Sequence, residues 1–179
     1  FHLINENRLA KFKESQILIN ACRGEVIDNK ALLNLKKAGH GLKLVLDVWE
    51  NEPNPLSELI DYTEIATAHI AGYSFEGKSR GTEMLYKALC KEKNIEPEVA
   101  LPSVLPKHAI SELQVDSLEF TDVIKLLQLI YDVRRDDAIF RNQLEEKGFD
   151  WLRKNYPMRR ENSALTIKTN KQKIKETLK

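Results

Sequence analysis

The chain has 179 residues, 42% hydrophobic and 31% charged, a globular mixture that excludes disordered and collagen-like classes and suffices for one domain or parts of two. With 28 basic residues against 27 acidic ones the formal charge is +1, so no electrostatic footprint for nucleic acid or an anionic membrane surface is present. No apolar run approaches the ~20 residues needed to cross a bilayer, and no basic, apolar, small-residue leader opens the sequence. Cys22 and Cys90 cannot build a disulfide framework, so a reducing cytoplasm is the expected compartment.

In chain order, Asn5 is placed to cap a short helix carrying Leu9 and Phe12. Residues 16–20 form a continuous apolar run of the kind found in a parallel strand buried on both faces. Asp28 is the expected N-cap of a helix whose Ala31, Leu32 and Leu35 share a face, with Gly39 as its stop. Leu42–Val48 reads as a second buried strand and residues 64–67 as a third. Strands joined by short helical connections imply a parallel α/β sheet. From Ser74 a longer helix follows with Met84, Leu85, Ala88 and Leu89 on one side, and Pro97, Pro102 and Pro106 then mark a linker or boundary. Thr121 is the expected cap of a helix with Val123, Leu126, Leu127 and Ile130 inward. Helical patches follow around Phe140 and Leu144 and from Phe149 to Tyr156, where Pro157 stops the last. Residues 165–167 suit a closing strand, and the lysine-rich 168–179 a frayed tail.

Three polar groups follow the carboxyl ends of the predicted strands: Arg23, Asp47 with Glu52, and His69. That rim is where open parallel sheets bind ligands. Arg23 offers a planar fork for a carboxylate, and Gly24 after it permits a tight turn or a close ligand approach; the competing reading is a surface arginine paired with Glu25 or Asp28. Of four histidines only His69 follows a buried strand, where imidazole suits proton exchange near neutral pH. A core histidine bonded to backbone is the alternative. A carboxylate such as Glu52 beside it would orient the ring, whereas Pro53 and Pro55 favour a plain solvated turn. Metal ligation by Asp47, Glu52 and His69 is disfavoured, because no histidine pair stands at helical spacing. Cys22 is read as a small residue closing a strand, and the charged run from Tyr131 to Asp137 as a helix end with local ion pairs.

Three motifs in order, Leu18-Ile19-Asn20-Ala21-Cys22-Arg23-Gly24, Leu46-Asp47-Val48-Trp49-Glu50-Asn51-Glu52-Pro53 and Thr67-Ala68-His69-Ile70-Ala71-Gly72, resemble those of the D-2-hydroxyacid dehydrogenases. The resemblance implies Arg23 as binder of the substrate carboxylate, Glu52 as acid partner, and His69 as proton donor and acceptor. It implies NAD as cofactor, with Asp47 at its nicotinamide end and Ala21, Cys22, Arg23 and Gly72 lining it. Ala68 stands where the family usually has proline, and Cys22 also departs from the usual pattern. Stretches at 69–82, 131–138 and 152–163 are similar to a family member that acts on a phosphorylated 2-hydroxyacid and carries a C-terminal dimerisation extension, although Asn162 replaces an expected aromatic residue. From it Tyr73 is carried over as a substrate contact, and a homodimer is implied.

The expected fold is therefore α/β, the C-terminal part of a Rossmann-type NAD-binding domain followed by a small α+β dimerisation domain. The division expected is 1–73 for the NAD-binding part, 74–96 for a connecting helix, 97–167 for the dimerisation domain and 168–179 for the tail. No GxGxxG occurs, although the fold uses that loop to seat the pyrophosphate. The chain alone is accordingly expected to be inactive. Alternatives are a dehydrogenase for another D-2-hydroxyacid, of phosphoglycerate or glyoxylate type, and a non-catalytic NAD-sensing protein.

Overall fold

The computed structural model describes residues 1–116 and 119–169. Its elements in chain order are α1 (Glu6–Leu9), β1 (Ile17–Asn20), α2 (Asn29–Lys37), β2 (Lys43–Leu46), α3 (Ser57–Ile60), β3 (Ile65–Ala66) and α4 (Phe75–Lys93). There follow α5 (Leu101–Val104), β4 (Glu112–Gln114), α6 (Phe120–Ile130), α7 (Val133–Lys147), α8 (Phe149–Lys154) and β5 (Thr166–Lys168). They form two units: residues 1–71 with 133–156, and residues 72–132 with the chain from Pro157 onward.

The first unit is built on a parallel sheet of order β1-β2-β3, with Leu18 beside Leu44 and Leu46 beside Ala66. Helices α1 and α2 start where the sequence offers caps: the Asn5 side chain accepts from Arg8 N, and the Asp28 side chain from Ala31 N. Gly39, at φ +90°, ends α2 in a conformation that costs glycine little. Leu44 and Leu46 of β2 are buried in one core cluster with Leu9, Leu32, Leu59 and Trp49. Burial of each such side chain stabilises the fold by roughly 1.5–3 kcal/mol.

β1 corrects the expectation of a strand buried on both faces. It lies at the edge of the sheet, and Ile17 and Ile19 are 59% and 66% exposed while Leu18 packs on the core. Among the described residues only one face of β1 has a cover, so its side chains alternate in burial even though the sequence does not alternate in polarity.

Residues 133–156 pack with the first unit rather than with the remainder of 97–167. Phe140 on α7 lies 5.7 Å from the Trp49 ring and 6.0 Å from Phe149. The edge amide of β3, Ala66 N, donates to the Asp137 carboxylate at 2.7 Å, so a side chain stands where another strand would otherwise pair. Arg141 bonds Asp137 and also donates to the carbonyls of Ile60 and Thr63. The charged run at 131–137 is thus no helix end with local pairs alone: it spans the break between α6 and α7, and Asp137 closes a sheet edge 71 residues away.

In the second unit, Ser74 caps α4 by accepting from Gly77 N at 2.8 Å. β4, which no sequence pattern announced, pairs in parallel with β5. α6 starts at Phe120 with Glu119 and Asp122 as a reciprocal capping box, so Thr121 lies inside the helix instead of capping it. Leu127, expected inward, is 47% exposed, and Ile124 and Leu129 on the same helix are each 43% exposed, so the apolar side of α6 is only partly covered. Met84, Leu85 and Leu89 on α4 are also exposed. Of the proposed tail, residues 170–179 lie outside the described residues.

Candidate active site

Each of the three strands of the first unit hands its chain to a polar loop at its carboxyl end. Beyond β1, the buried Asn20 side chain folds the turn onto itself: Nδ2 donates to Arg23 O at 2.9 Å, and Oδ1 accepts from Cys22 N at 3.2 Å. Ala21, Cys22 and Arg23 are left exposed at the rim. The Arg23 guanidinium bonds within this loop, Nη1 donating to Cys22 O at 2.6 Å, rather than to either predicted partner, Glu25 or Asp28.

The loops after β2 and β3 meet. His69 Nδ1 lies 2.7 Å from Glu52 Oε2, and both side chains are about one-fifth exposed. The other oxygen of Glu52 accepts from Trp49 N at 2.9 Å, so the carboxylate is held from both sides. With Nδ1 engaged, Nε2 remains for a reacting group. This is the orienting arrangement expected of a general acid–base histidine.

Asp47 lies beneath the pair. Its Oδ1 accepts from Thr67 Oγ1 at 2.6 Å and Ile70 N at 2.8 Å, and its Oδ2 from Ala71 N at 2.9 Å. Oδ2 thereby retains acceptor capacity. Gly72, at φ +77°, and Tyr73 follow in the second unit, where Lys78 Nζ stands 4.2 Å from the Tyr73 ring centre.

Sequence reasoning passed over Trp49 and Thr67. The indole Nε1 of buried Trp49 donates to Thr67 O at 2.9 Å, tying the end of β3 to the Glu52 loop. The available signal was an aromatic residue with a polar N–H between Asp47 and Glu52. That reasoning gave no joint role to His2, Asp28 and Glu50, whose ligand-type atoms lie within 4.8 Å of one another. These are used internally: Glu50 bonds His2 and Asn29 N, and Asp28 caps α2.

Residues 1–71 match a family described as D-isomer specific 2-hydroxyacid dehydrogenase, NAD binding domain. Over these residues the chain is similar to the NAD-binding domain of that family. Residues 104–179 match a second family, a domain of unknown function called DUF3410. Proteins named erythronate-4-phosphate dehydrogenase are similar over most of this chain. That of Colwellia psychrerythraea is 59% identical over 167 residues, covering 92% of this chain and 42% of the relative. Those of Pseudoalteromonas translucida and Shewanella oneidensis are 51% and 49% identical, each covering 93% of this chain and 45% of the relative. The chain spans less than half the length of these relatives. A solved glyoxylate reductase from Paecilomyes thermophila is 31% identical over 54% of the chain and 30% of its own, with a TM-score of 0.44, too slight a likeness to bear on the fold.

Proposed function

We propose that the full-length protein oxidises 4-phospho-D-erythronate at C2 to 2-oxo-3-hydroxy-4-phosphobutanoate with NAD, a step of pyridoxine and pyridoxal phosphate biosynthesis in the cytoplasm. The observation that carries this reading is the Glu52–His69 pair at 2.7 Å, set at the rim of a sheet whose sequence matches an NAD-binding domain. The names of the similar proteins support the substrate.

NAD, when bound, supplies the acceptor for the hydride leaving C2. The exposed Ala21–Cys22 turn and the open acceptor on Asp47 fit such a group, and Gly72 would line it. His69 Nε2 takes the C2 hydroxyl proton, and in the reverse direction returns it. Glu52 fixes the ring through Nδ1 and balances the positive charge the ring acquires. Arg23, exposed at the rim, releases its bond to Cys22 O, holds the substrate carboxylate with two hydrogen bonds and favours the developing carbonyl electrostatically. Tyr73 contacts the substrate.

We also assign a homodimer to the region from residue 97 to 167. The exposed Ile124, Leu127 and Leu129 on α6 support it, since a small domain buries little apolar area by itself.

His69→Gln in the full-length protein is expected to lower turnover by ~10²–10⁴ while leaving NAD binding nearly unchanged. Oxidation of 4-phospho-D-erythronate at the parental rate by this variant would overturn the assignment. Turnover on a non-phosphorylated or three-carbon 2-hydroxyacid in preference to it would keep the chemistry and replace the substrate.

A further inference from the structure

His69 has a left-handed backbone, φ +55°, a conformation that side chains with a Cβ adopt only when their surroundings impose it. What imposes it here is Asp47. The Asp47 carbonyl accepts from His69 N at 2.7 Å, and its carboxylate accepts from Ile70 N and Ala71 N. Three successive amides of the turn therefore converge on one residue of the neighbouring strand's loop. A carboxylate carried on two rotatable bonds imposes a turn only if it is itself prevented from rotating. Two of its three donors belong to the turn being shaped and so cannot supply that constraint independently.

The third donor is the Thr67 hydroxyl, 2.6 Å from Asp47 Oδ1. Thr67 is 4% exposed and is tied at two further points: its N–H donates to Leu46 O at 3.0 Å, continuing the sheet, and its carbonyl accepts from the Trp49 indole at 2.9 Å. Trp49 in turn gives its backbone N–H to Glu52. The sheet thus reaches the acid–base pair by two routes, one through Trp49 to Glu52 and one through Thr67 and Asp47 to the turn bearing His69.

We propose that Thr67 is a positioning residue for the dehydrogenase reaction: its hydroxyl locks the Asp47 carboxylate, which holds His69 where Nδ1 meets Glu52. The inference rests on His69 being the acid–base group. Ala68 puts no rigid ring into the turn, so its shape rests on these hydrogen bonds.

Thr67→Val in the full-length protein removes the hydroxyl at nearly constant volume. A misplacement on the scale of an ångström costs up to about 10²-fold, so kcat is expected to fall roughly 10- to 100-fold, while KM for 4-phospho-D-erythronate changes less than about threefold. Thr67→Ser, which keeps the donor, is expected to return kcat to within about threefold of the parent. Thr67→Ala provides a second hydroxyl-free variant should valine strain the buried site. In the hydroxyl-free variants the His69 Nδ1 proton, followed by NMR, is expected to exchange faster with water. Parental kcat and parental exchange in a folded hydroxyl-free variant would overturn the proposal, as would failure of serine to rescue. His69→Gln separates the two readings: if it retains turnover the acid–base assignment falls, and if it is inactive while Thr67→Val turns over normally only the positioning role falls.

Discussion

A Cβ built on Gly24 would lie 2.0 Å from the carbonyl carbon and oxygen of Trp49 and 2.5 Å from Glu50 N. Backbone atoms on that side cannot swing away as the end of a flexible side chain can. The missing side chain is what lets the Arg23 loop lie directly on the loop that leads to Glu52. Read along the sequence, Gly24 signals either a tight turn or a close approach. The approach is to the protein's own backbone, which no local pattern specifies. Gly24→Ala is expected to destabilise the first unit by about 3 kcal/mol or more, at or beyond the usual cost of overpacking. Urea unfolding followed by tryptophan fluorescence checks this, and an unchanged midpoint would mean that the two loops part at little cost. The same contrast holds at Asp47: its place at the carboxyl end of β2 marks it as a site residue, whereas its four-way grip on residues 67–71 is a matter of how two loops meet.

Among elements, the segment after Pro157 is bound to the start of α4 by a bridge between Ser74 and Arg159 and by a buried ion pair. Glu76, 2% exposed, accepts from Arg160 Nε at 2.6 Å and from Glu161 N at 3.1 Å, and Arg160 Nη1 also donates to the Pro106 carbonyl. Burial by itself would raise the Glu76 pKa, but the Arg160 hydrogen bond and the backbone amides outweigh it and hold the carboxyl below its ordinary value of 4.5. Because the folded value lies below the unfolded one, the pair stabilises the second unit above pH 4.5, and that stability is lost as pH falls through the folded value. Thermal unfolding measured from pH 6 to pH 3 should show a decline below about 4.5 that Glu76→Gln flattens. An identical decline in the variant would assign it to other carboxylates. Arg160 and Glu76 stand 84 residues apart, so neither end of this strap announces the other in the sequence. Single elements differ in how legible they are: α4 begins at Phe75 with Ser74 as its cap, within a residue of the helix start expected from the sequence, whereas β4 is too short and too polar to carry a period of its own.

At the scale of the whole molecule, the full-length protein is expected to be a dimer at micromolar concentration by light scattering. Leu127→Lys, which places a charge on the exposed face of α6, is expected to shift it toward monomer. A monomeric parent would refute the assembly. What the sequence by itself determined is what short-range chemistry controls. Helix starts followed from Asn5, Asp28 and Ser74, the stop from Gly39, the parallel sheet from three apolar runs, and the chemical groups from their place just after strands. Tertiary structure decided which of those groups meet. Glu52 and His69 pair across 17 residues and Asp137 closes β3 across 71, while Arg23 bonds within its own turn. It also decided the division of the chain, returning residues 133–156 to the first unit, where Phe140 joins the Trp49 core. The physical reason is the range of the forces involved. Capping and periodicity act over a few residues and leave a local trace, whereas burial and buried hydrogen bonds select partners by proximity in space, which residue order does not encode locally.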